Sequence, residues 1–171
     1  AASMMIRVHV FRQLRDIAAA RGSNLNPDDV ERATWTIYEA GQRASENEYN
    51  RAAKEVRRTG QVMAQFGEQF DVTLSPVLAE PPIELGVLDT MAEDSMATFN
   101  RLREYSPYCN LFNATGQPAM SLPLCWNDDN LPIGAQFAGR FGEEEILFQL
   151  AGQIEEAAPW NHRYQDLWQT M

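Results

Sequence analysis

An α/β fold, with a partial mixed β-sheet of three to four strands flanked by amphipathic helices, is what this sequence predicts, and three observations carry the prediction. Apolar residues recur at helical spacing over several long stretches. Between them lie a few short, strongly apolar runs cut off by proline, glycine and polar turn residues. These runs are too few for a self-sufficient sheet, so the strands are expected to need further neighbours.

The first stretch, AASMMIRVHVFRQLRDIAAARG, reads as an amphipathic surface helix rather than a targeting peptide, although it carries arginines 7, 12, 15 and 21 against the single acid Asp16. It opens on Ala-Ala-Ser with no capping residue, for which a tag, processing or truncation are the candidate explanations. Asn26-Pro27-Asp28-Asp29 supplies an N-cap, a proline at the first helical position and acids in the first turn, predicting a helix over 27–44. Ser45 and Glu48 form the next capping box. Behind it, Tyr49, Ala52, Ala53, Val56, Met63 and Phe66 make one stripe of a long helix ending near Gly67.

FDVTLSPV, residues 70–77, is β-branched and apolar, and predicts a short buried strand stopped by Pro76. LAEPPIELGVLD has paired prolines, a glycine and no period, so it reads as a surface loop. A short helix over about 92–105 follows and ends at Ser106-Pro107. AMSLPLCW, the polar turn NDDN and LPIGAQFAG then predict a strand pair of hairpin type. In the last helix Ile146, Leu147, Leu150, Ala151, Ile154, Ala157 and Ala158 form a stripe, with glutamates in the first turn and Pro159 as the stop.

The chain of 171 residues, 44% apolar and 22% charged, is expected to be a single domain or partial domain, with 1–67 a helical segment and 68–171 carrying the strands and C-terminal helices. Its 14 Lys plus Arg against 24 Asp plus Glu give a net charge of -10, which repels phosphate backbones and anionic membranes. Neither nucleic acid nor membrane is therefore an expected partner. Cys109 and Cys125 are too few for a disulfide framework or zinc site and read as reduced, buried thiols, with a cytoplasmic location expected.

Catalytic chemistry is harder to assemble from these residues. His9 and His162 stand at opposite ends of the chain without ligand spacing, and the glycines fit no phosphate-binding fingerprint, so neither metal nor cofactor is expected. The only lysine, Lys54, lies off the stripe of its helix and reads as exposed. Cys109 has no base beside it in the sequence, and no nucleophile elbow occurs. In FNATGQPAMSLPL, Asn113 and Thr115 can bond local backbone, Gly116 permits a left-handed turn and Pro118 sets an extended entry. A structural turn is the expected role.

Order is what links the motifs of residues 106–160: Asn-x-Thr-Gly-x-Pro-Ala from Asn113, an apolar run, a polar turn, Leu-Pro-x-Gly-x-Gln from Leu131, the pair Gly139-Arg140, and a helix opening on acids. In this order the segment resembles the C-terminal part of the amidase signature family. Residues 70–77 look like that family's preceding strand, while the earlier helices match more loosely. LFNATGQPAMSLPL is most like the branch acting on linear and cyclic amides, including 6-aminohexanoate cyclic dimer.

The resemblance implies a fold that is the C-terminal part of an amidase signature fold, and a serine hydrolase of carboxamides using a Ser, a second Ser in cis geometry and a Lys. In the family those residues precede the portion matched here. This sequence has no Ser-Ser pair and only Lys54, so no catalytic residue carries over. The expectation is the C-terminal portion of a longer amidase, inactive as this chain alone, whose complete form takes a small-molecule amide. Tyr105, Ser106, Cys109 and Phe112 are the implied pocket-lining residues, although many relatives have Thr where Cys109 stands. The alternative is a non-catalytic, amidase-derived structural or binding module that self-associates as a homo-oligomer.

Overall fold

The structure, a computed structural model, describes residues 1–163. It divides into two compact units that interleave in sequence: residues 1–60 with 84–105, and residues 61–83 with Ser106 onward.

The first unit is helical. Helix α1 (Ala2–Arg21) has no side-chain cap at its start and stops at Gly22, whose backbone N–H returns to the carbonyls of Ala18 and Ala19. Asn26 and Asp29 do form a capping box, but they close only a 3-10 turn, Pro27–Asp29. Val30 is fully extended behind it, so the helix expected over 27–44 begins later, as α2 (Arg32–Gln42). Helix α3 (Glu46–Gly67) contributes to this unit as far as Gly60.

The Ser45 capping box of α3 is complete. Ser45 N–H donates to Glu48 Oε2 at 2.9 Å, and Glu48 N–H donates to Ser45 Oγ at 3.2 Å. These bonds hold the Glu48 carboxyl below the usual glutamate range, led by the Ser45 backbone N–H and then its hydroxyl, with Arg51 adding a little; slight desolvation opposes them. Helix α4 (Ser95–Tyr105) starts where Asp94 Oδ1 accepts from Met96 and Ala97 N–H, both at 3.0 Å. Val8, Ala18, Ala33 and Ala52 are the buried apolar residues here, and α1 crosses α2 at Gly41, where backbone lies directly on backbone.

The second unit carries a three-stranded antiparallel sheet in the order β1 (Thr73–Pro76), β3 (Pro132–Ala138), β2 (Ala119–Trp126). All its ladders are antiparallel among the described residues. The β2–β3 hairpin turns through Asn127, whose side-chain Oδ1 accepts from Leu131 N–H at 2.8 Å, with Asn130 in the left-handed region at φ 58. Pro123 cannot donate to the ladder, and the register slips by one residue between it and Cys125.

Helix α6 (Glu144–Ala157) lays Ile146, Leu147, Leu150, Ala151 and Ile154 on one face of the sheet, against Met120, Leu122, Ala135 and Phe137. Ala157 and Ala158 lie past this contact and are exposed. Strand β1 departs from expectation: it pairs only with β3 among the described residues, and Leu74 is 65% exposed, so it is an edge strand rather than a buried one. Arg140 ties the unit together, donating at 2.9 Å to the Gly67 carbonyl, to Asp71 and to Glu143.

Candidate functional site

Residues paired across a sheet project to the same face. Ser75, Gln136 and Ser121 lie opposite one another on β1, β3 and β2, and so form a polar row on the face away from α6. It contains two hydroxyls and an amide, with no charged side chain among the three. Gln136 is only 5% exposed because β3 is the central strand. Gly134, two residues before it, keeps the same face low: a methyl there would come within 2.8 Å of both Ser121 Oγ and Val77 Cγ2.

Above this row begins a helix the sequence did not suggest. Helix α5 (Cys109–Thr115) takes in the first half of the stretch expected to be a turn, and Gly116 then leaves it in the left-handed conformation at φ 75. Two side-chain amides dock α5 on the sheet. At its start, Cys109 S–H faces Gln136 Oε1 at 3.4 Å and the Val77 carbonyl at 3.6 Å. At its end, Thr115 Oγ1 sits 3.1 Å from Gln117 Oε1, and Gln117 Nε2 donates to the Gly139 carbonyl at 3.0 Å. Thr115 thus bonds local backbone and neighbours as expected, with the Leu111 carbonyl at 3.1 Å.

The four implied pocket residues fall as follows. Cys109 is half-buried over the polar row, and Phe112, one turn along the same helix, is buried. Ser106 is half-buried, its carbonyl accepting from Asn110 Nδ2 at 3.4 Å. Tyr105 closes α4 in the helical unit, half-buried with the Arg101 guanidinium 5.7 Å from its ring centre. The expectation that both cysteines are buried is not met: both are free thiols, but Cys125 is exposed, since it follows the register slip on an outer strand.

Sequence reasoning missed Gln136 and Ser75 as members of the site. Gln136 stood in the quoted Leu-Pro-x-Gly-x-Gln motif, but its partner on β1 is fixed by a register no local pattern reveals. Chemically, the hydroxyls, amide and thiol can orient a neutral polar group, while Lys54 is exposed on α3. Among the described residues no three His, Cys, Asp or Glu side chains could hold a metal ion, and no helix is long and apolar enough to cross a membrane.

Comparison with known proteins gives this arrangement its relatives. The profile of the Amidase family matches residues 5–148. The 6-aminohexanoate-cyclic-dimer hydrolase of Paenarthrobacter ureafaciens is 28% identical over 92% of this chain and 33% of its own length. A solved 6-aminohexanoate cyclic dimer hydrolase in complex with its substrate superposes with a TM-score of 0.80 at 27% identity, over 92% of this chain and 34% of that one. A bacterial aryl acylamidase of the amidase signature family shares the fold, with a TM-score of 0.75 at 18% identity, covering 95% of this chain and 34% of that one. The chain thus spans about a third of the length of these relatives. With the motif order, the sheet and its flanking helices all accounted for by one profile across most of its length, this chain belongs to the Amidase family.

Proposed function

We propose that this chain is the C-terminal portion of an amidase that hydrolyses a linear or cyclic amide C–N bond through a Ser–cisSer–Lys triad lying outside these residues. Its own part is the α5–sheet element, one wall of the acyl pocket, with Cys109 and Phe112 on α5 and Ser106 just before it in the chain. The observation that carries the reading is the likeness to a hydrolase solved with its substrate, combined with a neutral polar row under Cys109 suited to an uncharged amide. No metal or cofactor takes part in this scheme. A cytoplasmic location belongs to the same proposal, supported by two free thiols.

The reading is tested by assaying this chain on 6-aminohexanoate cyclic dimer and on an aryl anilide, together with sequencing the gene upstream of Ala1. No turnover is expected, and an in-frame Gly/Ser-rich serine segment is expected upstream. Turnover that Cys109→Ala or a single Ser→Ala abolishes would overturn the first part; a stop codon directly before Ala1 would overturn the second.

One observation favours a second reading, a non-catalytic module that associates with itself. Within the sheet unit Leu74, Phe141 and Phe148 are 65%, 76% and 77% exposed. Light scattering on the purified chain decides it, because a monomer at every concentration tested would exclude self-association.

A further inference from the structure

The polar row has a direction. Ser75 Oγ–H donates to the Pro76 carbonyl at 3.1 Å, which leaves that oxygen an acceptor towards Gln136. With that arrangement Gln136 Nε2–H donates to Ser75 Oγ at 3.1 Å, and its Oε1 accepts from the Cys109 thiol at 3.4 Å. Both groups that meet the sulfur from the sheet, Gln136 Oε1 and the Val77 carbonyl, are acceptors. The thiol hydrogen of the half-buried Cys109 is consequently directed to the sheet side, and the sulfur's lone pairs lie away from those two acceptors.

We propose that Gln136 is a positioning residue: through a one-way chain of hydrogen bonds from Cys109 to Ser75 it fixes which side of the Cys109 sulfur the wall presents. Three elements set the chain, since Ser75 comes from β1, Gln136 from β3 and Cys109 from α5. Central burial makes the amide costly to leave unpaired, so its orientation is held from both ends. The role of this wall in amide binding rests on the function proposed above, but the positioning itself does not.

Alkylation of the two thiols by iodoacetamide, followed peptide by peptide in the same chain, tests this without any amide substrate. Cys125, exposed on β2, is the internal reference. Gln136→Met keeps the volume and removes both hydrogen-bonding ends; Cys109 should then react about three to ten times faster, the worth of an ordinary net hydrogen bond, with Cys125 unchanged. Gln136→Glu keeps an acceptor oxygen at the same reach and should return Cys109 close to the parent rate, although a buried carboxyl is the more destabilising substitution. A purely structural role predicts the opposite order, with Glu faster than Met and both thiols rising together. Ser75→Ala, a milder change, should also accelerate Cys109 because the amide is then held from one end only.

An unchanged Cys109 rate in Gln136→Met, or in Ser75→Ala should Gln136→Met not fold, would overturn the proposal. So would Glu reacting faster than Met. Either result leaves the amidase reading standing, and a failed hydrolysis or gene test leaves this inference standing.

Discussion

Gly41 and Gly60 both lie inside helices, and the same substitution is expected to act on them with opposite signs. A methyl at Gly41 would overlap the Arg7 carbonyl oxygen, and would lie 2.6 Å from its carbon and 2.8 Å from Phe11 Cβ. Carbon contacts are comfortable only from about 3.5 Å, so α1 would have to withdraw from α2 by about 1 Å. The blocking atoms are backbone and a Cβ, which no rotamer change can move, so the upper end of the usual overpacking cost of about 3 kcal/mol applies. Helix propensity returns about 1 kcal/mol, leaving a net loss of about 2 kcal/mol, or about 4–8 °C in Tm for a chain of this length. Nothing lies within 4 Å of a methyl at Gly60, so there only the propensity remains. Gly60→Ala should raise stability by about 0.5–1 kcal/mol. Thermal and urea unfolding, followed by helical circular dichroism, measure both. Equal shifts, or a stabilised Gly41→Ala, would refute the claim that backbone contact between α1 and α2 sets the sign.

The Glu48 capping box gives a pH dependence. Because its carboxyl is held below the ordinary glutamate value of 4.5, the box stabilises α3 above that pH, and the contribution is lost as pH falls through the lowered folded value. Glu48→Gln should therefore be less stable than the parent at pH 7, with the gap narrowing as pH falls below 4.5; a gap that stays constant through acid titration would contradict the assignment. Arg140→Met keeps the aliphatic stem but removes the bonds to Gly67, Asp71 and Glu143, and should cost about 1–2 kcal/mol after solvent screening of the exposed pairs. Most of that loss should survive in 1 M salt, since the carbonyl bond closing the end of α3 is expected to outweigh the ion pairs. A loss that vanishes in salt would reverse that ranking.

Much of the architecture was legible where one residue has one strong reason for its place. The β2 boundaries, the Asn127 turn and the Ser45 capping box follow from turn and cap chemistry contained within a few residues. Reading failed where a local signal had two outcomes. Asn26-Pro27 starts a helical turn in either case, and only the extended Val30 shows that the turn does not continue. Cys109–Thr115 is too short for periodicity to register as a helix, and Thr115-Gly116 reads equally as a free turn or as a helix end. Apolar content could not distinguish a central strand from an edge, which is why Leu74 was expected inside. Of the site, Cys109 could be named from a resemblance, whereas Ser75 and Gln136 become partners only through the β1–β3 register.

That register also has a kinetic side. The β2–β3 hairpin closes across a few turn residues, but β1 reaches β3 only after a loop running from Pro76 to Ala135, about tenfold longer, which raises the closure cost by about 2 kcal/mol. Part of that loop, residues 84–105, is committed to the helical unit. The hairpin can thus form early and by itself, whereas the Ser75 end of the polar row is assembled last. Amide exchange during refolding should protect β2 before β1, and a chain caught between the two stages would already have its hairpin while Cys109 still lacked its oriented partner.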